Sequence, residues 1–490
     1  MSFVKQQVLI DRNPQETRVA ILTESGIDDL YIERRAERGL VCNVYKGKVV
    51  RVLPGMQSAF IDIGLERTAF LHVNDIEAAR QSDGSIKPIE YVLHAGDSIL
   101  VQVNKDPIGT KGARLTTTIS LAGHRLVYLP REQHIGVSAR IDEEAERVRL
   151  KALLTQCVPS EEKGGYIVRT CAIGATQEDF ERDIGYLNRL WKDIEAKAQV
   201  SAAPALLYQD LFLEERALRD MVGENVTEVI VDCDNDTVYE NLCKHAKACS
   251  EHCAQVITQH SGELPLFEQF GIDAAIEEAL SRRVNLKSGG YLVFDQTEAM
   301  TTIDVNTGAF VGRRDFSDTI FKTNLEAARI IARQLRLRSL GGIIIVDFID
   351  MNKEEHRKAV LAELNKAVES DRVRTSVSNF SELGLIEITR KRMRDSLSHT
   401  LCEPCPLCGG RGEIKTARTV CYQILREIVR ELRQYPSARE FTIIASPSVI
   451  DLFLEEEAQA LELLQMSINR PVSMQVENSY GPEAYDITFS

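Results

Sequence analysis

Two apolar runs that each carry carboxylates at their ends decide the fold of this chain: Met300-Thr-Thr-Ile-Asp-Val-Asn306 and Gly342-Ile-Ile-Ile-Val-Asp-Phe-Ile-Asp350. Their β-branched content and their length predict two strands. The second is expected to be a central strand buried on both faces, because it is apolar almost throughout. Between them, residues 318–339 repeat apolar side chains at helical spacing, and a further helix is expected at 354–369. The segment 282–394 is therefore predicted to be an α/β unit.

Length and composition limit the number of domains and the class of protein. The 490 residues are too many for one core and predict several domains, at roughly 100–200 residues each. With 44% hydrophobic and 27% charged residues, the chain has the composition of a globular protein. No run of about 20 apolar residues predicts a membrane span. The first residues lack the apolar stretch of a signal peptide, so the cytoplasm is the expected compartment.

Carboxylates stand at the ends of the two predicted strands. Asp304 and Asp347 each follow an apolar run, and ligands gather at the carboxyl ends of strands in α/β sheets. Two carboxylates at one place repel each other unless a cation joins them, and Mg²⁺ often takes one or two carboxylates besides water and phosphate. Asn306 shares its side of the strand with Asp304, and Asp350 is a weaker candidate. The alternative is that these residues are only caps and turn residues.

Basic residues flank these carboxylates in sequence. The net charge of −14 excludes an attraction of the whole molecule to nucleic acid, but not a local one. Two local clusters are residues 390–394 and four arginines near the end of the predicted helix: Arg329, Arg333, Arg336 and Arg338. Basic groups beside a metal site suit a polyanion with a phosphodiester to cut, whereas a solvated helix face is the alternative.

Residues 41–121 are predicted to form a small β-barrel, because short apolar runs alternate there with turn signals. Phe60 and Phe70 fall on neighbouring predicted strands. Cationic residues lie near them in sequence: Lys46, Lys48, Arg51, Arg67 and Lys111. Barrels of the OB type bind single strands by stacking bases on aromatic rings and holding phosphates with cations. The alternative is that both phenylalanines belong to the barrel core.

A compact cysteine cluster, Cys402-Glu-Pro-Cys405-Pro-Leu-Cys408-Gly-Gly-Arg-Gly412, has the spacing of a metal knuckle. The 11 cysteines do not indicate disulfides in a chain that is expected to be intracellular. A structural zinc needs four ligands, and no second Cys-x-x-Cys lies outside this cluster. Either His399 completes a site within one chain, or two chains each give two thiolates to one shared zinc.

Short motifs follow one another in a specific order: Val44-Tyr-Lys-Gly-Lys-Val49, Ala59-Phe-Ile-Asp-Ile-Gly64, Lys111-Gly-Ala-Arg-Leu-Thr-Thr117, Ile167-Val-Arg-Thr170, Thr302-Ile-Asp-Val-Asn306, Thr323-Asn-Leu-Glu-Ala-Ala328, Gly342-Ile-Ile-Ile-Val-Asp-Phe-Ile-Asp-Met351 and Cys405-Pro-Leu-Cys408-Gly-Gly-Arg-Gly412. In this order they resemble the bacterial ribonuclease E/G family over essentially the whole chain. A long disordered C-terminal extension, as the longer family members have, is not expected here, so the resemblance favours the shorter members.

The resemblance implies a multidomain α/β fold. A ribonuclease H-like domain would be interrupted by an OB-fold β-barrel and a 5′-sensor segment. A deoxyribonuclease-I-like α/β domain, a zinc link and a small C-terminal domain would follow. The implied boundaries are 1–38 and 216–281 for the ribonuclease H-like domain, 39–124 for the barrel, 125–215 for the 5′-sensor, 282–400 for the deoxyribonuclease-I-like domain, 401–413 for the zinc link and 414–490 for the last domain.

The resemblance also implies roles for single residues. Asp304 and Asp347 match the family's catalytic magnesium ligands, and Asn306 matches the asparagine that supports them. Cleavage would leave a 5′-phosphate and a 3′-hydroxyl. Three residues of the barrel match those that clamp RNA over the site: Phe60, Phe70 and Lys111.

Two further sites are implied in the same way. Arg169 and Thr170, with Val127 beside them, match the pocket that reads a 5′-monophosphate, where an arginine gives a charged fork and a hydroxyl a neutral donor. Cys405 and Cys408 match a link in which two protomers share one Zn²⁺, which implies a homodimer or a higher oligomer.

The expected function is that of a magnesium-dependent endoribonuclease acting on single-stranded, A/U-rich RNA. The substrates would be messenger RNA, in mRNA decay, and the 5′ end of a ribosomal RNA precursor. A noncatalytic RNA-binding scaffold is one alternative, but it leaves the two strand-end aspartates and Asn306 unexplained. A structural filament is disfavoured because sustained heptads are absent from the sequence. A deoxyribonuclease stays possible through the shared domain type.

Overall fold

The computed structural model describes residues 5–24, 26–81, 84–107, 112–141, 143–159, 164–308, 316–369 and 371–490. The chain forms two compact units, Met1–Leu397 and Ser398–Ser490. Within the described ranges, no helix combines the length and the apolar character needed to cross a bilayer.

Both units contain β-strands and α-helices. The strands are β1 Gln6–Arg12, β2 Glu16–Thr23, β3 Gly26–Arg34, β4 Val44–Leu53, β5 Ser58–Asp62, β6 Ala69–His72, β7 Ser98–Lys105, β8 Arg114–Thr116, β9 Leu121–Ala122, β10 Leu126–Leu129, β11 Ile135–Val137, β12 Gly165–Val168, β13 Ala205–Tyr208, β14 Val226–Cys233, β15 Ile257–Gln259, β16 Arg283–Asn285, β17 Tyr291–Gln296, β18 Met300–Asn306, β19 Gly342–Asp347, β20 Thr375–Val377, β21 Leu385–Arg390, β22 Phe441–Ala445, β23 Val472–Val476 and β24 Tyr485–Phe489. The helices are α1 Glu144–Cys157, α2 Gln177–Val200, α3 Leu213–Asp220, α4 Asp236–Cys249, α5 Glu251–Val256, α6 Leu266–Gln269, α7 Ile272–Leu280, α8 Phe316–Leu337, α9 Glu354–Glu369, α10 Leu397–Leu401, α11 Ala417–Gln434, α12 Pro447–Leu454 and α13 Ala458–Ile468.

The first sheet is assembled from two distant parts of the chain. Its strand order is β15-β14-β1-β2-β3, so the strand that pairs with β1 on its outer side comes from residues 226–233. β1 and β14 are parallel, whereas β1, β2 and β3 form an antiparallel meander. Helices α3, α4 and α5 supply apolar residues to the core of this sheet. Everything between β3 and α3 is therefore an insertion into one domain.

The insertion begins with a closed barrel. Its strands follow the order β4-β5-β6-β8-β7, and β7 pairs back with β4, while β13 extends the sheet beyond β4. Alternate residues point inward, so that Ala59 and Ile61 are fully buried in the barrel core. The predicted small barrel is confirmed, and its closed five-stranded form is consistent with an OB-like domain.

The second part of the insertion is a small sheet with two helices. The order is β11-β12-β10-β9, and α1 and α2 pack against it around Phe180, Leu187 and Trp191. The helix α2 starts with a complete capping box formed by Thr176 and Asp179, which explains its sharp beginning.

The predicted α/β segment forms the sheet β16-β17-β18-β19-β21-β20. β18 and β19 run parallel, and the other neighbouring pairs are antiparallel. The parallel step needs a crossover, which α8 supplies before it packs with α9 on one face. The prediction that the run from Gly342 is buried on both faces is wrong, because Ile343 is 48% exposed. The face opposite the helices is open.

The second unit contains its own small α/β core. Its sheet has the order β23-β22-β24, and the apolar side of α11 packs on it through Val420, Ile424 and Ile428. The cysteine cluster lies in this unit, before α11.

Candidate active site

The two predicted catalytic aspartates lie directly opposite each other. Asp304 on β18 and Asp347 at the end of β19 are register partners in the parallel pair. Both side chains are exposed on the open face. The residue before each aspartate, Ile303 in β18 and Val346 in β19, points to the other face and is buried under α8 and α9. The alternation of the two strands therefore places both carboxylates on one surface.

The electrostatics of this pair favour a cation. Burial and the charges of Asp304 and Asp350 raise the pKa of Asp347 above its ordinary value. In the described residues, no arginine, lysine or histidine forms an ion pair with any of these three carboxylates. Like charges directly opposite each other in a sheet are destabilising, so the pair suits Mg²⁺, which prefers carboxylate oxygens.

Asn306 supports the pair from the same strand. Its Nδ2 donates a hydrogen bond to Oδ2 of Asp304 over 2.8 Å. This contact fixes one carboxylate oxygen and leaves the other for a ligand. The alternative that these residues are only turn residues is disfavoured, because both Asp304 and Asn306 lie within β18.

Two residues of α8 position the loops around the site, and sequence reasoning had no role for them. Asn324 is fully buried; its Oδ1 accepts from the Ile349 amide (3.2 Å) and its Nδ2 donates to the Ile349 carbonyl (2.8 Å). Glu326 accepts hydrogen bonds from the amides of Lys287 and Ser288 (2.7 and 3.0 Å). The motif Thr323-Asn-Leu-Glu therefore ties the loop after Asp347 and the loop before β17 to one helix.

The arginines at the end of α8 do not form the predicted basic surface. Arg336 and Arg338 are only 7% exposed. Arg336 pairs with Asp28 on β3, and Arg333 donates from Nε to the carbonyl of Ile27 over 2.9 Å. Arg333 and Arg336 attach α8 to the edge of the first sheet, whereas Arg338 lies over the ring of Phe294. Both the RNA-facing interpretation and the solvated-face alternative are therefore wrong for these three arginines.

Several other members of the basic clusters also have partners within the protein. Arg329 is at the surface but pairs with Glu363 over 2.5 Å. Arg390 is buried and binds Asp371 through Nε over 2.7 Å. The guanidinium of Arg394 lies 3.9 Å from the ring centroid of Tyr31. Two of the four cations in residues 390–394, Arg390 and Arg394, thus serve packing within the first unit.

In a second pair of opposite carboxylates in the molecule, one member is paired with an arginine. Asp11 on β1 and Asp232 on β14 are also register partners in a parallel pair. Here, however, Arg18 donates from Nε to Asp11 (2.8 Å) and from Nη1 to Asp273 (2.6 Å). In the part of the chain that the structure describes, neither Asp304 nor Asp347 has such an ion pair with an arginine.

The barrel presents its two candidate phenylalanines on the outside. Phe60 and Phe70 are register partners on β5 and β6, and their rings meet edge to face with centroids 6.3 Å apart. Both are half-buried, and they point to the outer face of the barrel, away from the core that contains Ala59 and Ile61. Arg51 on β4 is the register partner of Phe60. The alternative that both phenylalanines are core residues is therefore wrong.

The cations near the phenylalanines differ in availability. Arg114 is the register partner of Phe70 and pairs with Asp75 over 2.8 Å. Lys46 donates to two carbonyls at the end of α2, each over 2.8 Å, and so is structural. Lys111, the third predicted RNA-binding residue, lies outside the described residues.

The three predicted sensor residues come together at one end of the sheet that contains β10 and β12. Val127 is the register partner of Ile167, and the Arg169 amide donates to the Arg125 carbonyl over 2.9 Å. Arg169, two residues after Ile167, therefore lies on the same face of the sheet as Val127. Thr170 follows as an exposed residue.

The guanidinium of Arg169 is held in a fixed orientation. Its Nη1 lies 2.8 Å from Oδ1 of Asp220 and donates to the carbonyls of Gly123 (2.7 Å) and His124 (3.1 Å). Burial acts to raise the pKa of Asp220, but the hydrogen bonds and charges of Arg219 and Arg169 outweigh it, and the pKa lies below its ordinary value. Asp220 thus stays ionised and keeps Arg169 in place.

Asp183 organises the turn beside this arginine, which the sequence did not reveal. It is 7% exposed, and its carboxylate accepts from the three backbone amides of residues 124–126, at 3.1, 2.8 and 2.8 Å. The available signal was an acid on the apolar side of α2, among Phe180, Ile184 and Leu187. A buried carboxylate in such a position requires several donors.

The cysteine knuckle is a tight turn around Cys408. The Gly412 amide donates to its Sγ over 3.3 Å, and this contact is the main cause that lowers the pKa of the thiol. Among the described residues, no three His, Cys, Asp or Glu side chains are gathered to hold a metal ion. Both expectations for this cluster, a zinc site within one chain completed by His399 and a zinc shared by two chains through Cys405 and Cys408, stay predictions.

Comparison with known proteins identifies the family of the chain. The sequence profile of the Ribonuclease E/G family matches residues 120–393. The chain belongs to that family. It is 46% identical to Ribonuclease G of Salmonella typhimurium over 488 residues, which cover 98% of this chain and 99% of that protein. It is 45% identical to Ribonuclease G of Haemophilus influenzae over 98% of this chain and 99% of that protein, and 36% identical to Ribonuclease E of Escherichia coli over 94% and 44%. The predicted resemblance is confirmed, and within the family the chain is similar to ribonuclease G over its whole length.

Proposed function

We propose that this protein is a magnesium-dependent endoribonuclease that cuts single-stranded, A/U-rich RNA to a 5′-phosphate and a 3′-hydroxyl. The observation that carries the proposal is the in-register pair of exposed aspartates on adjacent parallel strands, Asp304 and Asp347. Membership of the ribonuclease E/G family, and the names of its relatives, support RNA as the substrate.

Asp304 and Asp347 would hold the magnesium ion, which when bound supplies a Lewis acid and an activated water. Asn306 keeps Asp304 in one orientation through its 2.8 Å hydrogen bond. Asn324 holds the backbone two residues after Asp347, so that the second carboxylate is fixed by the fold. The open face of the sheet leaves room for an extended strand of RNA.

The remaining predicted sites serve substrate binding. The paired rings of Phe60 and Phe70 on the outside of the barrel offer stacking surfaces for bases, with Lys111 as the predicted cation. Arg169 and Thr170, beside Val127, would receive a 5′-monophosphate. The fixed guanidinium of Arg169 suits an anion with several oxygens. A monophosphate would then stimulate cleavage of the same RNA.

The proposal extends to assembly and to biological role. Cys405 and Cys408 would share one Zn²⁺ with the same residues of a second copy and so form a homodimer, or a larger assembly of dimers. The domain boundaries expected from the resemblance belong to this proposal as well. The natural substrates would be ribosomal RNA precursor and messenger RNA in the cytoplasm.

The test uses one short A/U-rich RNA with either a 5′-monophosphate or a 5′-hydroxyl, and a DNA of the same sequence. Wild type is compared with Asp304→Asn and Asp347→Asn, in Mg²⁺ or with chelator. We expect Mg²⁺-dependent cutting of RNA alone, faster with the monophosphate and lost in both variants. Binding without cutting would favour the scaffold, and cutting of DNA would favour a deoxyribonuclease. An Asp304→Asn protein that cuts normally would refute the catalytic assignment.

A further inference from the structure

The open face of the catalytic sheet carries an arginine in line with the two aspartates. Register places Arg283 on β16 opposite Val293 on β17, Val293 opposite Asp304, and Asp304 opposite Asp347. Neighbouring strands lie about 4.8 Å apart, so the backbones of Arg283 and Asp304 are separated by about 10 Å. These four side chains form a row across the sheet: the cation Arg283, the apolar Val293, and the carboxylates of Asp304 and Asp347.

Arg283 is charged, exposed and oriented by its neighbours. Its guanidinium carbon lies 3.9 Å from the centroid of the Tyr291 ring, and its Nε donates to Oδ1 of Asn285 over 3.1 Å. In the described parts of the chain, no carboxylate forms an ion pair with Arg283, and its two Nη groups donate no hydrogen bond to the protein. A flat guanidinium that is held at Nε and on one face presents its Nη groups outward.

The preceding residue makes the contrast clear. Arg282 is also exposed, but its Nη2 pairs with Oδ1 of Asp295 over 2.5 Å. Of two adjacent surface arginines, one is therefore neutralised by the protein, and the one that lies in the row with Asp304 is left for an external anion.

We propose that Arg283 binds the RNA phosphate next to the scissile one, and that Tyr291 positions its guanidinium for this contact. The proposal rests on the ribonuclease function proposed above and extends the same site. A phosphate that follows the scissile group along the open face is repelled by the carboxylates at Asp304 and Asp347. A cation about 10 Å away compensates this repulsion without pairing with the carboxylates themselves.

The chemistry of the ligand follows from the donors. Two free Nη groups on one plane match two oxygens of a phosphodiester, and such bidentate contacts are among the stronger hydrogen bonds of proteins. The apolar Val293, between Arg283 and Asp304, offers no polar partner, so the row favours the backbone of RNA and not a particular base.

The experiment measures cleavage of a short RNA in which a single phosphate is replaced by an uncharged methylphosphonate. One RNA carries it on the 5′ side of the scissile phosphate, another on the 3′ side, and a third is unmodified. Wild type, Arg283→Met and the matched control Arg282→Met are compared by kcat and KM. Both variants change exposed side chains, and their circular dichroism is checked for an unchanged fold.

We expect Arg283→Met to lower kcat/KM on unmodified RNA by about tenfold, the size of one charge-assisted contact. Arg282→Met should stay within about twofold of wild type, as is usual for a surface ion pair. One of the two methylphosphonates should reduce kcat/KM of wild type by the same factor and cause no further loss in Arg283→Met. This non-additivity identifies the contact.

The outcomes separate the two proposals. If wild type cleaves RNA and each methylphosphonate affects Arg283→Met as much as wild type, the phosphate contact is refuted while the ribonuclease stands. If wild type does not cleave RNA at all, both proposals fail. The role of Tyr291 is tested by Tyr291→Leu, which should lower kcat/KM in wild type but not in the Arg283→Met background; a loss in both would refute its positioning role.

Discussion

Replacing Asn324 by leucine removes the contact that holds the loop after Asp347. Leucine keeps the number of side-chain heavy atoms but removes the partner of both the amide and the carbonyl of Ile349, a half-buried residue that faces the fully buried Asn324. At the lower end of the cost of an unpaired group, about 1 kcal/mol for each of the two, the loop loses at least about 2 kcal/mol of local stability. Since each 1.4 kcal/mol is about a factor of ten, the opening equilibrium of the loop rises by about 30-fold or more.

Amide hydrogen exchange measures this opening directly. In Asn324→Leu, peptides covering residues 343–352 should lose at least about 30-fold in protection, while peptides of the barrel exchange as in wild type. The rate of RNA cleavage should also be lower in Asn324→Leu than in wild type. The control is Asn365→Leu on α9, where the exposed asparagine donates to the Leu361 carbonyl of its own helix. Unchanged protection of residues 343–352 in Asn324→Leu would refute the reasoning.

Three further perturbations test other parts of the molecule. Phe60→Leu should weaken RNA binding by about 1–3 kcal/mol in a fluorescence titration, since leucine cannot stack on a base; an equal loss in Tyr91→Leu, an exposed aromatic elsewhere in the insertion, would contradict this. The pKa of Asp220 is lowered in the folded protein, so its ionised carboxylate stabilises the fold. This stabilisation is present above pH 3.8, the ordinary pKa of the group, and is lost as the pH falls through the lower pKa of the folded state. Asp220→Asn removes it. The thermal midpoints of this variant and of wild type should therefore differ at neutral pH and converge below pH 3.8; a constant difference would count against it. Cys405→Ser should release zinc and leave monomers in analytical ultracentrifugation, and a zinc-free dimer would speak against the shared site.

The features that could be predicted from the sequence are those encoded locally. An apolar run that ends in a carboxylate predicts both a strand and the place of its acid, so the positions of Asp304 and Asp347 on adjacent strands follow from the sequence. The strands around Ile303 and Val346 and the helix α8 follow from periodicity, which depends only on near neighbours. The spacing of Cys405 and Cys408 likewise predicts a knuckle without knowledge of the rest of the fold.

The features that escaped prediction depend on partners far away in the chain. Arg336 reads as a surface cation, but its partner Asp28 lies 308 residues earlier, and only the folded chain brings them together. The run Ala59-Phe60-Ile61 is apolar throughout, so its pattern does not decide which side of the strand faces inward. The apolar run around Ile343 predicts burial on both faces, but composition does not say which faces of a sheet the helices cover.

The insertion within the first sheet has a consequence for synthesis on the ribosome. β1 to β3 emerge first, but the strand that pairs with the outer side of β1 begins only at Val226. At about 5–20 residues per second, roughly 10–40 s pass before it is made. During that time β1 presents an unpaired edge, which is a site for pairing with other chains. The barrel and the sheet beyond it have cores of their own and can fold meanwhile, so completion of the first sheet is the late step at which aggregation competes with folding.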